Sequence, residues 1–396
     1  MPNFGAKPLP AGARRHSPGR GSPGRQRLPR RTEEFTRWRC KLRQNWNLRE
    51  LFTLALEAGG TSLHLNSALP AVAKTKGGLV PLTEQYLTPD DCEDIAATLS
   101  TQAVHRLKQE SFYGLEPGIC RYRAELYRQR DVISLIFKLA PWRLRPLEEL
   151  GLPPNVPELL QARRGLILVC GPQGAGKSWT LAALLDYIHR QRSVRSLVLG
   201  DPLEFELEAR LGMTTTQSVK QGHWEEALDQ IEFSDVDVVA LDDFPVRRTL
   251  ERALELAEAG ILVLATVRNA LDVSSSLFEL WTKHPAWLHH SLRERVSQAL
   301  QAIIFQKLVA GMTDQEKFPA TEIMVASPPM RHLIQEERFI QFYNSIQTGL
   351  NSGMHTLEQS LFELFRSGCI DEKTALSETR YPDDVRRSIG TWRSRD

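Results

Sequence analysis

Cysteine is scarce in this 396-residue chain, with five residues (Cys40, Cys92, Cys120, Cys170, Cys369) and no C-x-x-C pair among them. Such scatter supports neither a disulfide framework nor a zinc site. Cys170 reads as a small core residue ending a buried strand. Long apolar runs are missing as well. No stretch approaches the roughly 20 residues that a bilayer-spanning helix needs, and no signal-peptide apolar region is present. A soluble protein in a reducing compartment is expected. Acidic residues are nearly absent from the start, where residues 1–44 hold ten Arg and two Lys against Glu33 and Glu34. That arm carries +10, so the remainder carries −8 within a chain of net charge +2.

What the sequence has is one dense motif. Five apolar residues, Leu166 to Cys170, run into Gly171-Pro172-Gln173-Gly174-Ala175-Gly176-Lys177-Ser178. The octet fits G-x-x-x-x-G-K-[ST], the phosphate-binding P-loop. Small residues let consecutive backbone N–H groups curl around an anion, where a large Cβ would obstruct the approach. Lys177 supplies a point charge for β- and γ-phosphates, and the Ser178 hydroxyl can join a Mg²⁺ shell. A helix opening at Lys177 adds its positive end. A Gly-rich turn joining a buried strand to a helix would share this composition. The order of strand, loop and helix favours nucleotide binding.

Around the motif the chain divides into segments. Residues 1–44, rich in Pro, Gly, Ser and Arg, predict a disordered basic arm. It is a tether for nucleic acid or anionic lipid, a solvated tail, or the product of a start site placed too far upstream. Residues 45–140 predict a separate α+β domain. It has a helix over 48–58 ending at Gly59-Gly60, short strands over 62–65 and 78–81, and a helix over 88–109 capped by Thr88. A hairpin over 121–138 follows, carrying Arg121, Arg123, Arg128 and Arg130. Those arginines make either a solvated strand face or phosphate contacts in trans. A Pro-rich linker spans 141–157. Residues 158–345 alternate strands (166–170, 196–199, 236–241, 261–267, 302–305) with helices (177–190, 224–232, 247–259, 271–283, 292–300). That alternation predicts a parallel sheet with helices on both faces and ligands at the carboxyl ends of its strands. Residues 346–396 form a helical tail, with helices over 354–367 and 372–378.

Further chemistry is expected at three strand ends. Residues 236–243, VDVVALDD, form a hydrophobic strand ending in two carboxylates. Asp242 would hold Mg²⁺ and Asp243 would orient or deprotonate an attacking water; Asp243 could instead cap the following helix. Asp201 and Glu204 in DPLEFE offer more carboxylates, or else mark a turn at Asp-Pro. Arg268, ending the strand after Thr266, is a phosphate sensor or a surface ion-pair partner.

The order of these segments resembles the type IV pilus retraction ATPases (PilT-like) of the type II/type IV secretion ATPase superfamily, from about residue 48 to residue 384. GGTSLHL and RYRAELYRQRDVISLIFKLAP look like the family's PAS-like domain. GLPPNVPELLQARRGLILVCGPQGAGKSWTLAALLDYI looks like its linker and Walker A region, DPLEFE its Asp box and DVDVVALDD its Walker B. EIMVASPPMRHLIQEERFIQFYNSIQTGLNSGMHTLEQSL is similar to its C-terminal signature, with PMRHLIQE at the retraction-type A-I-R-N-L-I-R-E stretch. The resemblance implies an α/β protein: a RecA-like P-loop ATPase domain preceded by a smaller α+β PAS-like domain.

The resemblance also implies ATP and Mg²⁺ as cofactors. Nucleotide contacts are expected from Gly171, Gln173, Gly174, Ala175, Gly176, Lys177, Ser178 and Trp179, and from Arg121, Arg123 and Arg130. Metal contacts are expected from Ser178 and Asp242. Asp243, Arg268, Asp201 and Glu204 are the catalytic candidates. A hexameric ring is implied, cytoplasmic and held at the inner membrane through a pilus platform protein, with a paralogous pilus ATPase as a further partner. Nucleic acid is not an expected partner, although a DNA-translocating ring is a third reading.

Four places depart from the family pattern. Gly200 stands where the family has Glu, and Asp242-Asp243 where it has Gly-Glu. Arg268 stands where it has His, and Trp179 where it has Thr. The loop itself is intact, so two outcomes follow: a working motor, or a subunit that binds ATP and hydrolyses it poorly beside a competent paralogue.

Overall fold

The protein, represented by a computed structural model, is described over residues 46–394 apart from 76, 101–107, 130–131, 202–210, 220–222, 234, 269–270 and 314–315. The basic arm, Arg130 and Glu204 lie outside the described residues. Two sheets are built within the compact unit Asn47–Asp396.

The first sheet follows from residues that alternate between buried and open positions, as in β1 (Ser62–Asn66), β2 (Pro70–Thr75) and β6 (Val132–Pro141). With β3 (Gly78–Tyr86), β4 (Gln109–Glu116) and β5 (Cys120–Gln129) they form an antiparallel sheet in the order β3-β2-β1-β6-β5-β4. Period-two burial of this kind suits a sheet with one covered face. The helices Leu48–Glu57 and Pro89–Leu99 bury Leu51, Phe52, Cys92 and Ile95. The expected helix over 88–109 is present as Pro89–Leu99, and residues 101–107 of it lie outside the described residues. Thr88 does cap it, in a reciprocal box with Asp91. The helix nevertheless stops at Leu99, Ser100 is extended, and Gln109 already pairs with Tyr127 in the sheet.

The second sheet is built on β7 (Gly165–Gly171), buried along its whole length. Its odd and even residues enter different clusters: Ile167 and Val169 pack with the helix Lys177–Gln191, and Leu166, Leu168 and Cys170 with the helices Val246–Glu258 and Val273–Thr282. Burial on both faces is the mark of a central strand in an α/β layer. The other strands are β8 (Arg195–Leu199), β9 (Met213–Gln217), β10 (Val238–Leu241), β11 (Leu262–Arg268), β12 (Leu300–Ala310) and β13 (Lys317–Val325), in the order β13-β12-β7-β11-β10-β8-β9.

The sheet is mixed where the alternation predicted it parallel. β12 returns as β13, with Ala310 opposite Lys317, so this last pair is antiparallel and needs no crossover helix. Everywhere else the neighbours run parallel, which brings the carboxyl ends of β7, β8, β10 and β11 to one edge. Edge strand β9, MTTTQ, was not anticipated because its half-exposed threonines show no apolar run. Among the described residues no helix is long and apolar enough to cross a membrane.

Candidate functional site

At the end of β7 the backbone turns through glycine-specific conformations. Gly171 has φ 146° and Gly174 φ 77°. A Cβ on Gly171 would lie 2.1 Å from the carbonyl oxygen of Gln306 on β12, so the neighbouring strand enforces the glycine. The same Gln306, which sequence reasoning missed, braces the loop with its side chain. Its Nε2 donates to the Ala175 carbonyl at 2.6 Å and its Oε1 accepts from Thr180 Oγ1 at 2.8 Å. Pro172, Gln173 and Gly174 are exposed, Ala175 is buried, and Trp179 is half-buried on the following helix.

Lys177 lies inside the curl of the loop. Its buried ammonium donates to the carbonyls of Gly171 at 3.0 Å and Pro172 at 2.7 Å. Burial holds its pKa below the usual lysine range, and the positive charge of Arg268 adds to that. An anion held against the loop would favour the charged form of Lys177.

Two strands away in sheet order, β10 ends at Asp242 and Asp243. Ser178 Oγ donates to Asp242 Oδ1 at 2.9 Å, and Asp242 is buried. Thr266, on the intervening β11, donates to the same oxygen at 2.9 Å. Asp243 has φ 58°, uncommon for a residue with a side chain, and its N–H donates to Thr266 Oγ1 at 2.7 Å. Arg268 Nε pairs with Asp243 Oδ1. The capping alternative for Asp243 is excluded, because Pro245 occupies the N-cap of the helix Val246–Glu258.

The Ser178 and Asp242 oxygens form a donor set that fits Mg²⁺. This ion takes oxygen ligands, keeps several waters, and uses one or two protein groups beside substrate phosphates. Among the described residues no group of three or more His, Cys, Asp or Glu is placed to hold a metal by side chains alone.

Asp201, beyond the end of β8, meets the small sheet. Arg123 Nη1 on β5 pairs with Asp201 Oδ2 at 3.1 Å, Lys138 Nζ lies 3.6 Å from the same oxygen, and Arg123 Nη2 reaches Glu125 at 2.8 Å. A catalytic candidate and a nucleotide-contact candidate are thus brought together. Arg121 is buried at the sheet end, with Nε donating to the Pro141 carbonyl at 3.3 Å, while Arg128 turns to Glu93 at 3.3 Å. Beside the loop opens a cleft of about 290 Å³, with Leu271, Phe305 and Leu308 as apolar walls and Lys307 at its rim. Only a three-dimensional view joins those residues, as it does Thr266 and Gln306.

A glycine-containing loop at the end of a central parallel strand, touching an acidic strand end across β11, defines an α/β protein of RecA-like type. Comparison with known proteins narrows that class. The family described as "Type II/IV secretion system protein" matches residues 147–357, more than half of the chain, and the chain belongs to that family. "Type IV pilus retractation ATPase PilT" of Pseudomonas aeruginosa is 28% identical over 344 residues, covering 85% of this chain and 99% of that protein. "Type IV pilus ATPase PilU" of the same organism is 26% identical over 347 residues, covering 86% and 90%. The solved structure of "the Pilus Retraction Motor PilT and Bound ADP" superposes with a TM-score of 0.76 at 27% identity, covering 86% of this chain and 99% of that one. By these likenesses the chain is a PilT-like member of the secretion and pilus ATPase superfamily.

Proposed function

We propose that the chain binds and hydrolyses ATP as a subunit of a hexameric motor for type IV pilus retraction. The observation that carries this reading is the Ser178–Asp242 contact, which joins the phosphate loop to the acidic strand end. The loop N–H groups and Lys177 hold the β- and γ-phosphates. When bound, Mg²⁺ neutralises charge developing across those phosphates. Ser178 and Asp242 would hold it. Asp243 orients or deprotonates the attacking water, and Arg268 reports the γ-phosphate to the Asp243 turn. Arg123 and Asp201 couple the small sheet to the nucleotide edge. Residues 45–140, 141–157 and 158–345 serve as moving domain, hinge and motor domain, and the motion acts on an inner-membrane platform protein.

The Arg268–Asp243 ion pair favours a second reading, because it engages the carboxylate that water activation needs. In that reading the subunit binds ATP, hydrolyses it poorly, and assists a paralogous pilus ATPase. The likeness to both PilT and PilU suits either role.

Phosphate release by the purified protein with ATP and Mg²⁺, compared with Lys177→Ala, tests the first reading. Turnover that vanishes in the variant supports the motor. ATP binding without turnover above the variant, alone or mixed with a motor paralogue, removes the hydrolytic claim and leaves the accessory one. Hydrolysis stimulated by DNA would point instead to a DNA-translocating ring.

A further inference from the structure

We propose that Thr266 is a positioning residue for hydrolysis: one hydroxyl sets both the Asp242 carboxylate and the Asp243 backbone. The inference rests on the ATP-hydrolysing reading of this site and assigns a role that the loop and strand-end motifs leave open.

Thr266 is 1% exposed on β11, the strand between the loop-bearing β7 and the acid-bearing β10. A hydroxyl has one proton to give and two lone pairs to receive. The proton goes to Asp242 Oδ1 at 2.9 Å, and a lone pair takes the Asp243 N–H at 2.7 Å. The Thr266 carbonyl then accepts from the Phe244 N–H at 3.1 Å, so this one residue grips three consecutive positions of the turn.

Each bond has a physical consequence. Ser178 donates to the same Asp242 oxygen at 2.9 Å, and two hydroxyl donors on one atom fix the orientation of the carboxylate. Asp243 sits at φ 58°, a conformation costing on the order of 1 kcal/mol or more for a residue with a Cβ. The bond from its N–H to Thr266 offsets part of that cost and holds the side chain where it meets Arg268. Residues 266 and 268 share a face of β11, so the strand touches the turn twice, once through a neutral bridge and once through an ion pair. A hydrogen-bonding hydroxyl is required: valine has the same shape but leaves the Asp243 N–H without its acceptor and Asp242 Oδ1 with one hydroxyl donor fewer.

The experiment compares Thr266→Val and Thr266→Ser in the full-length protein. Fluorescent ATP is titrated with Mg²⁺ and with EDTA, and phosphate release is measured in parallel. Thr266→Val should keep its EDTA affinity within about twofold, lose most of the Mg²⁺-dependent gain, and drop kcat about 10- to 100-fold. Thr266→Ser should return kcat to within about threefold of the parent. An unchanged kcat in the valine variant, equal losses in kcat and EDTA affinity, or failure of serine to rescue would each overturn the proposal. Should valine not yield folded protein, Thr266→Ala takes its place under the same criteria. Should the parent itself show no turnover above Lys177→Ala, the hydrolysis reading falls, and the Mg²⁺-dependent gain alone decides: its retention in the variant overturns the role of Thr266, its loss supports it.

Discussion

Ser178 and Asp242 are 64 residues apart in the chain and share a hydrogen bond of 2.9 Å. That contact ties the first turn of the loop helix to the end of β10, so the metal-binding candidates are already assembled. Asp242→Asn keeps an oxygen able to accept from Ser178 and Thr266 while removing the charge. Turnover is expected to fall about 10²- to 10³-fold, with nucleotide affinity in EDTA almost unchanged. Phosphate release and an EDTA titration check this. Parent-like turnover in the asparagine variant would exclude Asp242 from the reaction.

The two glycines of the loop should respond differently to a methyl group. In Gly171→Ala the new Cβ meets the Gln306 backbone oxygen, which cannot swing aside, so a loss of about 3 kcal/mol or more is expected. In Gly174→Ala nothing lies within 4 Å, and only the positive φ resists, for about 1–2 kcal/mol. Urea unfolding of both variants gives the comparison. Equal losses would mean that β12 does not brace the loop.

How much of this site was visible in the sequence depends on what holds each residue. The loop was legible because its spacing is local: glycine, lysine and serine must fall within eight consecutive residues. Asp242 was legible as a carboxylate ending an apolar strand. Thr266 and Gln306 were not, because their roles come from strand order, with β11 and β12 flanking β7. Nothing in the neighbouring residues marks them. The antiparallel β13 also escaped the periodicity, since its direction is decided by its pairing with β12. The face assignment of the β5 arginines held for Arg121 and Arg123, but the partner of Arg123 is an acidic residue 78 positions away.

That partner leads to another expectation. Arg123 and Asp201 keep 30% and 19% of their side-chain surface, so their ion pair contributes at most about 1 kcal/mol to stability. If the pair couples the small sheet to the nucleotide edge, Arg123→Gln should lower turnover at least about tenfold while the melting temperature moves by only a few degrees. Parent-like turnover in Arg123→Gln would show the pair to be a passive surface contact.

Arg268→Ala separates the two readings of the Arg268–Asp243 pair. As a phosphate sensor, Arg268 stabilises charge in the transition state, and its loss should lower kcat about 10- to 100-fold. As a restraint on Asp243, its removal should raise kcat instead. The sign of the change in a steady-state assay decides between motor and accessory subunit.

Buried Glu322 on β13 and half-buried His355, bonded to the neighbouring Thr321, oppose each other in their response to pH. Glu322 accepts from the Val273 N–H at 3.0 Å, and burial pushes its carboxyl from the ordinary 4.5 up to about 7, with the Glu358 charge adding to the rise. His355 bonds Thr321 Oγ1 at 2.9 Å, and burial pushes its imidazole from 6.5 down to about 4. A raised carboxyl binds its proton more tightly in the folded state. Its stabilising contribution is therefore complete below pH 4.5 and lost as pH rises through about 7. A depressed histidine acts in reverse: its contribution is complete above pH 6.5 and lost as pH falls through about 4. Between pH 4.5 and 6.5 these two contributions cancel each other. Glu322→Gln removes one slope and exposes the other. Its unfolding free energy should fall by about 2 kcal/mol from pH 6.5 to pH 5, while at pH 8 it should gain on the parent by up to about 3 kcal/mol. Urea titrations at pH 5, 6.5 and 8 measure both limbs, and a variant whose pH profile runs parallel to the parent's would show that Glu322 folds already ionised.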